Sequence, residues 1–222
     1  MDVLLSSGFL AFARHLGFRR AFLAQGDEPT GICGTSSGSV VGALWANGLS
    51  EKKMIEVLHV PRPISKMTFN WRLWRGLFRM DKLRATLQQH LPEQIEDLPI
   101  PFGVGVMTAS KRYTILRTGP LVPAIAASCA IPYVFEPVTI NGEDYGDGGF
   151  VDRIGAQAWR DLRPEQRHVA HIVDRSNGAA DEKGLDRITV VRTPRSFASF
   201  WDMGDFDAQL EESYRLSSAQ LP

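Results

Sequence analysis

Apolar residues fall in short blocks separated by polar and glycine-rich breaks along this chain. Val3 to Leu5 reads as a strand, closed by Ser6-Ser7-Gly8, and Phe9 to Leu23 reads as an apolar helix. Gln25 to Thr30 is a polar loop, and Gly31-Ile32-Cys33 is a second short strand. Ser37 to Asn47 predicts a helix on which Gly38, Gly42 and Ala46 lie four apart, a small-residue face that lets another backbone approach. Gly48 ends it, and Ser50 is placed to cap a helix from Glu51 to His59. Residues 61–80 lack a clear period, and Asp81 opens a helix over Lys82–Leu91.

The second half repeats the style. Phe102–Met107 and Tyr113–Arg117 read as strands, Pro123–Ala130 as a small-residue helix, and Val134–Ile140 with Tyr145 as β-structure around the Asn141-Gly142 turn. Trp159 lies in a predicted helix. His168–Val173 and Ile188–Val191 are strands flanking a polar loop, Ser176–Gly184, and Asp205–Leu216 is a final helix. Strand and helix alternate at the start, which predicts a parallel α/β sheet.

Composition narrows the class. The chain has 222 residues, a size for one domain over 1–222, and 44% hydrophobic residues are enough for a core. Lys+Arg and Asp+Glu are both 25, so a globally basic nucleic-acid binder is excluded. Cys33 and Cys129 make no metal-ligand spacing and are expected as buried free thiols. Met1-Asp2 opens no basic leader, and no apolar run reaches membrane-spanning length. The expectation is a soluble, cytoplasmic protein that meets membranes only peripherally. Oligomeric state is left open.

The chemistry begins at Gly34-Thr35-Ser36-Ser37-Gly38. This G-x-S-x-G elbow sets a serine on a sharp strand-to-helix turn, with glycines where a Cβ would crowd the turn. Ser37 and Ser39 are close by, but the spacing selects Ser36. Its hydroxyl would sit at a helix N-terminus, where amides favour developing negative charge. A serine needs a base, and Asp147-Gly148-Gly149 offers a carboxylate on a turn. Taken alone, each motif also fits a structural turn.

Between them run Ala127-Ser128-Cys129-Ala130-Ile131-Pro132, Phe135-Glu136-Pro137 and Tyr145-Gly146-Asp147. In this order and spacing, over residues 3–152, the chain resembles the patatin-like phospholipases. That resemblance implies a three-layer α/β/α fold with a mainly parallel central sheet. It also implies lipid ester substrates, a Ser-Asp dyad of nucleophile Ser36 and base Asp147, and neither metal nor cofactor. Gly34, Gly38, Gly148 and Gly149 match the two motifs. The oxyanion loop departs from the family. In Ser6-Ser7-Gly8-Phe9-Leu10-Ala11-Phe12, Phe9 stands for a glycine, Ala11 for a basic residue and Phe12 for another glycine. Backbone N–H groups make an oxyanion hole, so Gly8 and Phe9 remain the expected donors. Arg14, one turn on, is the expected substitute for the missing basic side chain.

Two other readings compete. His168 and His171 follow Asp147 in the order of a Ser-Asp-His α/β-hydrolase, although that fold needs several strands before its elbow. A degenerate oxyanion loop also fits a lipid-binding pseudoenzyme. Residues 57–80 hold no acidic residue, and across 62–79 Arg62, Lys66, Arg72, Arg75 and Arg79 alternate with Phe69, Trp71 and Trp74. Arginine beside tryptophan is the composition of a membrane-surface contact; a pocket flap with solvated arginines is the plainer reading. The aromatic stretch Phe197, Phe200, Trp201 and Phe206 is expected in the core or over an acyl pocket.

Overall fold

Five apolar runs of four to seven residues become the parallel part of one sheet. The structure is a computed structural model that describes residues 1–71, 76–175 and 184–222. Its strands are β1 (Asp2–Leu5), β2 (Gly31–Thr35), β3 (Thr68–Phe69), β4 (Phe78–Arg79), β5 (Phe102–Thr108), β6 (Tyr113–Leu116), β7 (Val138–Ile140), β8 (Glu143–Asp147), β9 (His168–Val173) and β10 (Thr189–Thr193). Its helices are α1 (Phe12–Ala24), α2 (Ser37–Ala46), α3 (Glu51–Leu58), α4 (Asp81–Gln88), α5 (Leu121–Ser128), α6 (Ala156–Leu162) and α7 (Phe206–Gln220). The large sheet runs β10-β9-β1-β2-β5-β8-β7, parallel as far as β5 and antiparallel beyond it, with β6 also antiparallel to β5.

Alternation along the strands sorts side chains to two faces. Val3, Leu5, Ile32 and Val169 turn to a core shared with α1, α2, α5 and α7, whereas Leu4, Cys33, Ala170 and Ile172 pack with Trp159 of α6. This is a mixed α/β fold with a mostly parallel sheet flanked by helices. β1 starts one residue earlier than its apolar run, because buried Asp2 receives Trp159 Nε1–H at 3.0 Å and pairs with Arg163 at 2.5 Å. The helix α1 is enclosed between the sheet and α7, and a Cβ on Gly17 would stand 2.3 Å from the Leu210 carbonyl oxygen.

Several boundaries moved for visible reasons. α1 begins at Phe12 rather than Phe9, because Leu10 takes φ 48° and the Ala11 N–H turns back to the Gly8 carbonyl. α5 begins two residues before Pro123, which the first turn of a helix tolerates. α4 stops at Gln88 rather than Leu91, and only Val138–Ile140 of the predicted 134–140 strand pairs in the sheet. The irregular stretch holds a short hairpin, β3 with β4. Arg72, Leu73, Trp74, Arg75 and most of the 176–184 loop lie outside the described residues. Ser50 caps α3 by accepting from the Lys53 N–H, and Gly48 closes α2 with φ 76°.

Candidate active site

β5 sets the geometry of the site. Thr35, the last residue of β2, pairs with Gly105, and Asp147, the last residue of β8, pairs with Val106. β6 occupies the other edge of β5 from Val104 to Met107, so β2 and β8 must share one edge. They approach head to head, and the chain leaves β2 into α2 at that junction. Ser36 has φ 54° and ψ −122°, a left-handed conformation that costs a non-glycine residue about 1–3 kcal/mol. Close packing enforces it: a Cβ on Gly34 would lie 2.3 Å from the Gly38 carbonyl oxygen, and one on Gly38 would lie 2.3 Å from that of Leu5.

The result is a direct bond. Ser36 Oγ donates to Asp147 Oδ2 at 2.9 Å, and the Gly149 N–H donates to Asp147 Oδ1 at 2.7 Å. Gly149 can have no side chain here, because a Cβ would meet Ser7 Oγ at 2.5 Å. Burial pushes the Asp147 carboxyl up to about 6, against the opposing effects of the Gly149 N–H, the Ser36 hydroxyl and the Arg153 charge. A carboxyl with that value is ionised at neutral pH yet basic enough to accept a proton.

Ser36, Asp147, Gly8 and Phe9 all line one cavity of about 590 Å³ at the carboxyl ends of the parallel strands. Its lining includes the apolar side chains of Phe12, Leu58, Met67, Met80 and Leu83. The Ser6 and Ser7 N–H groups are used by His171 and Arg153 carbonyls, whereas those of Gly8 and Phe9 have no protein partner among the described residues. The Phe9 ring sits edge-on to Phe200, 4.9 Å between centroids.

Two supporting residues had no role in the sequence reading. Ser128 is fully buried; its Oγ accepts the Ser36 N–H at 2.7 Å and donates to the Gly105 carbonyl at 2.6 Å. This ties the elbow to β5 and commits the Ser36 amide. Arg153 donates to the Ser7 carbonyl at 2.5 Å, to Ser7 Oγ at 3.1 Å and to the Val173 carbonyl at 2.7 Å. The only sequence signal for Ser128 was its place in the Ala127–Pro132 segment. Nothing in the sequence marked Arg153.

Other expectations are corrected. Arg14 does not approach the oxyanion loop; it is buried and reaches Glu212 at 2.5 Å and the Gln209 carbonyl at 3.3 Å, tying α1 to α7. The loop's basic support comes from Arg153. Neither histidine joins the site. His171 is buried against His15, Nδ1 to Nδ1 at 2.8 Å, and contacts Thr193, while His168 stands 4.0 Å from Asp2 at the opposite end of β9. Burial holds the His171 imidazole well below its ordinary value. Both thiols are free and burial pushes both up, but Cys129 is only partly buried and lines the cavity.

Comparison with known proteins places the chain in a family. The family model for patatin-like phospholipases matches residues 3–158. An uncharacterized NTE family protein of Mycobacterium tuberculosis is 32% identical over 155 residues, covering 67% of this chain and 42% of that protein. The neuropathy target esterase of Drosophila melanogaster is 25% identical over 197 residues, 83% of this chain and 13% of its own length. This chain therefore spans less than half the length of these relatives. Among solved structures, VipD from Legionella pneumophila superposes with a TM-score of 0.62 at 12% identity, covering 99% of this chain and 67% of that one. ExoU from Pseudomonas aeruginosa, in complex with SpcU, gives 0.54 at 13% identity, covering 99% and 52%. At such identities these two speak for the fold alone.

Proposed function

Because the chain belongs to the patatin-like phospholipase family, we propose that it is a serine lipid acyl hydrolase working through a Ser36-Asp147 dyad. Family membership supports lipid hydrolysis in general. The observation that carries the finer reading is the 2.9 Å bond from Ser36 Oγ to Asp147 Oδ2 beside an apolar cavity.

In this mechanism Asp147 takes the Ser36 proton as Oγ attacks the ester carbonyl. The carbonyl oxygen becomes an oxyanion, held by the Gly8 and Phe9 N–H groups. The carbon–oxygen bond to the leaving alcohol then breaks, and Asp147 returns the proton to that alcohol. The acyl group is left on Ser36, its chain in the apolar part of the cavity. Water attacks next, gives its proton to Asp147, and releases the fatty acid as Ser36 regains a proton. The positive end of α2 favours negative charge at this point. Neither step calls on His168 or His171.

Hydrolysis of p-nitrophenyl butyrate tests the reading. Ser36→Ala abolishes it, and Asp147→Asn lowers kcat by about 10²–10⁴-fold. Full activity in either variant would refute the dyad.

A further inference from the structure

Large exposed apolar side chains gather in one region. Of the ten among the described residues, Leu162 on α6 lies apart; the other nine belong to segments that line the cavity or are bonded to them. Phe9 and Phe150 line it directly. Trp201 and Phe197 flank cavity-lining Phe200, and Tyr133 lies between cavity-lining Pro132 and Phe135. The β3–β4 hairpin, with Phe69, Trp71 and Leu77, is held to that turn by Leu77 N–H to Tyr133 carbonyl and Phe78 N–H to Val134 carbonyl bonds.

These rings form a continuous path. Centroids are 5.5 Å apart from Trp71 to Phe69, 6.4 Å to Phe78, 6.4 Å to Phe135, 6.5 Å to Phe200 and 4.9 Å to Phe9. The path runs from a side chain that is 87% exposed into the cavity wall. Tyr133 and Trp201 are 85% and 69% exposed beside it. Such exposure costs hydration free energy with no return in folding, so it calls for an occupant outside the chain.

We propose that this aromatic rim is the face by which the protein docks on an anionic lipid bilayer, so that a lipid passes along the rim into the cavity. The proposal rests on the lipid hydrolase reading for what the cavity receives. A bilayer fits better than a protein because a protein sealed over the mouth would close the cavity, whereas a bilayer both covers the rings and supplies the lipid. Trp and Tyr present an apolar ring with a polar end, as the headgroup boundary requires. Charge agrees. In sequence, residues 57–80 hold five Lys and Arg and no acid, and Arg195 lines the cavity, as does Asp174. Arg79 is discounted, since it already meets Asp81 and Glu136.

The test uses Ser36→Ala protein, so that vesicles stay intact, in co-sedimentation with phosphatidylcholine vesicles with and without phosphatidylglycerol. Binding is expected to the anionic vesicles and to weaken with added salt. Adding Trp71→Ser and Trp201→Ser raises the lipid concentration for half-binding by about tenfold or more. With Ser36 restored, the same pair of exposed substitutions leaves p-nitrophenyl butyrate hydrolysis unchanged and slows hydrolysis of vesicle lipid. Failure to bind, binding that survives both substitutions, or a dimer that they dissolve without affecting vesicle binding would overturn the proposal. If the wild type cleaves no ester while Ser36→Ala still docks through the rim, the hydrolase reading fails and the docking face stands.

Discussion

Thr35 and Asp147 occupy successive places along one edge of β5, opposite Gly105 and Val106. A parallel strand and an antiparallel strand thus end against each other on a common rail, and Ser36 turns out of the sheet where they meet. Positions 111 residues apart are brought to 2.9 Å by backbone pairing to β5, to which the Ser128 side chain also ties the elbow. The Gly149 N–H fixes the carboxylate that receives the Ser36 hydroxyl.

The pH dependence follows from Asp147. Its pKa of about 6 predicts that kcat/KM on a soluble ester falls below pH 6 along a single acid limb. The limb is expected to remain in His168→Ala, since His168 lies at the far end of its strand. A rate–pH profile of both proteins checks this.

Stability carries the opposite sign. Asp147 binds its proton more tightly folded, at about 6, than at its ordinary 3.8, so the folded state loses stability as pH rises from about 4 through 6. Asp147→Asn removes that loss. Thermal melts are expected to show the variant gaining on the wild type across this window, by about 2–3 kcal/mol once pH exceeds 6, with the gain constant above it.

Ser128→Ala leaves the Ser36 N–H and the Gly105 carbonyl without their shared partner in a fully buried place. A stability loss of about 1–3 kcal/mol is expected. The elbow also loses its tie to β5, so kcat falls by up to about 10²-fold while KM changes little. Denaturant melts and steady-state kinetics read the two effects separately.

Arg153→Met releases Ser7 from β9 and loosens the loop that carries the Gly8 and Phe9 amides. The expected fall in kcat is up to about 10²-fold. Arg153 also lowers the Asp147 pKa, so its removal moves the acid limb above pH 6, whereas Arg153→Lys keeps the limb near its original place. A purely structural role would lower the rate without moving the limb.

The sequence disclosed what local chemistry dictates. Gly34 and Gly38 announced a close-packed elbow, and alternating apolar runs announced a sheet with helices on it, because steric exclusion and side-chain period act over a few residues. What it concealed depends on distant partners. Arg153 becomes the support of the loop at Ser7 only because β9 and the turn after β8 lie beside it, and Arg14, closer in sequence, is drawn away to Glu212. Ser128 was visible as a motif residue, but its bond to the Ser36 amide needs the whole β5 register. The start of α1 was misplaced because Leu10 takes a positive φ that no residue type there signals.

Labelling with a fluorophosphonate probe, followed by intact mass, tests the central claim most directly. The account predicts one adduct on the wild type and none on Ser36→Ala, with labelling that slows below pH 6. Folded wild-type protein that takes no adduct, or Ser36→Ala that takes the same one, would contradict it.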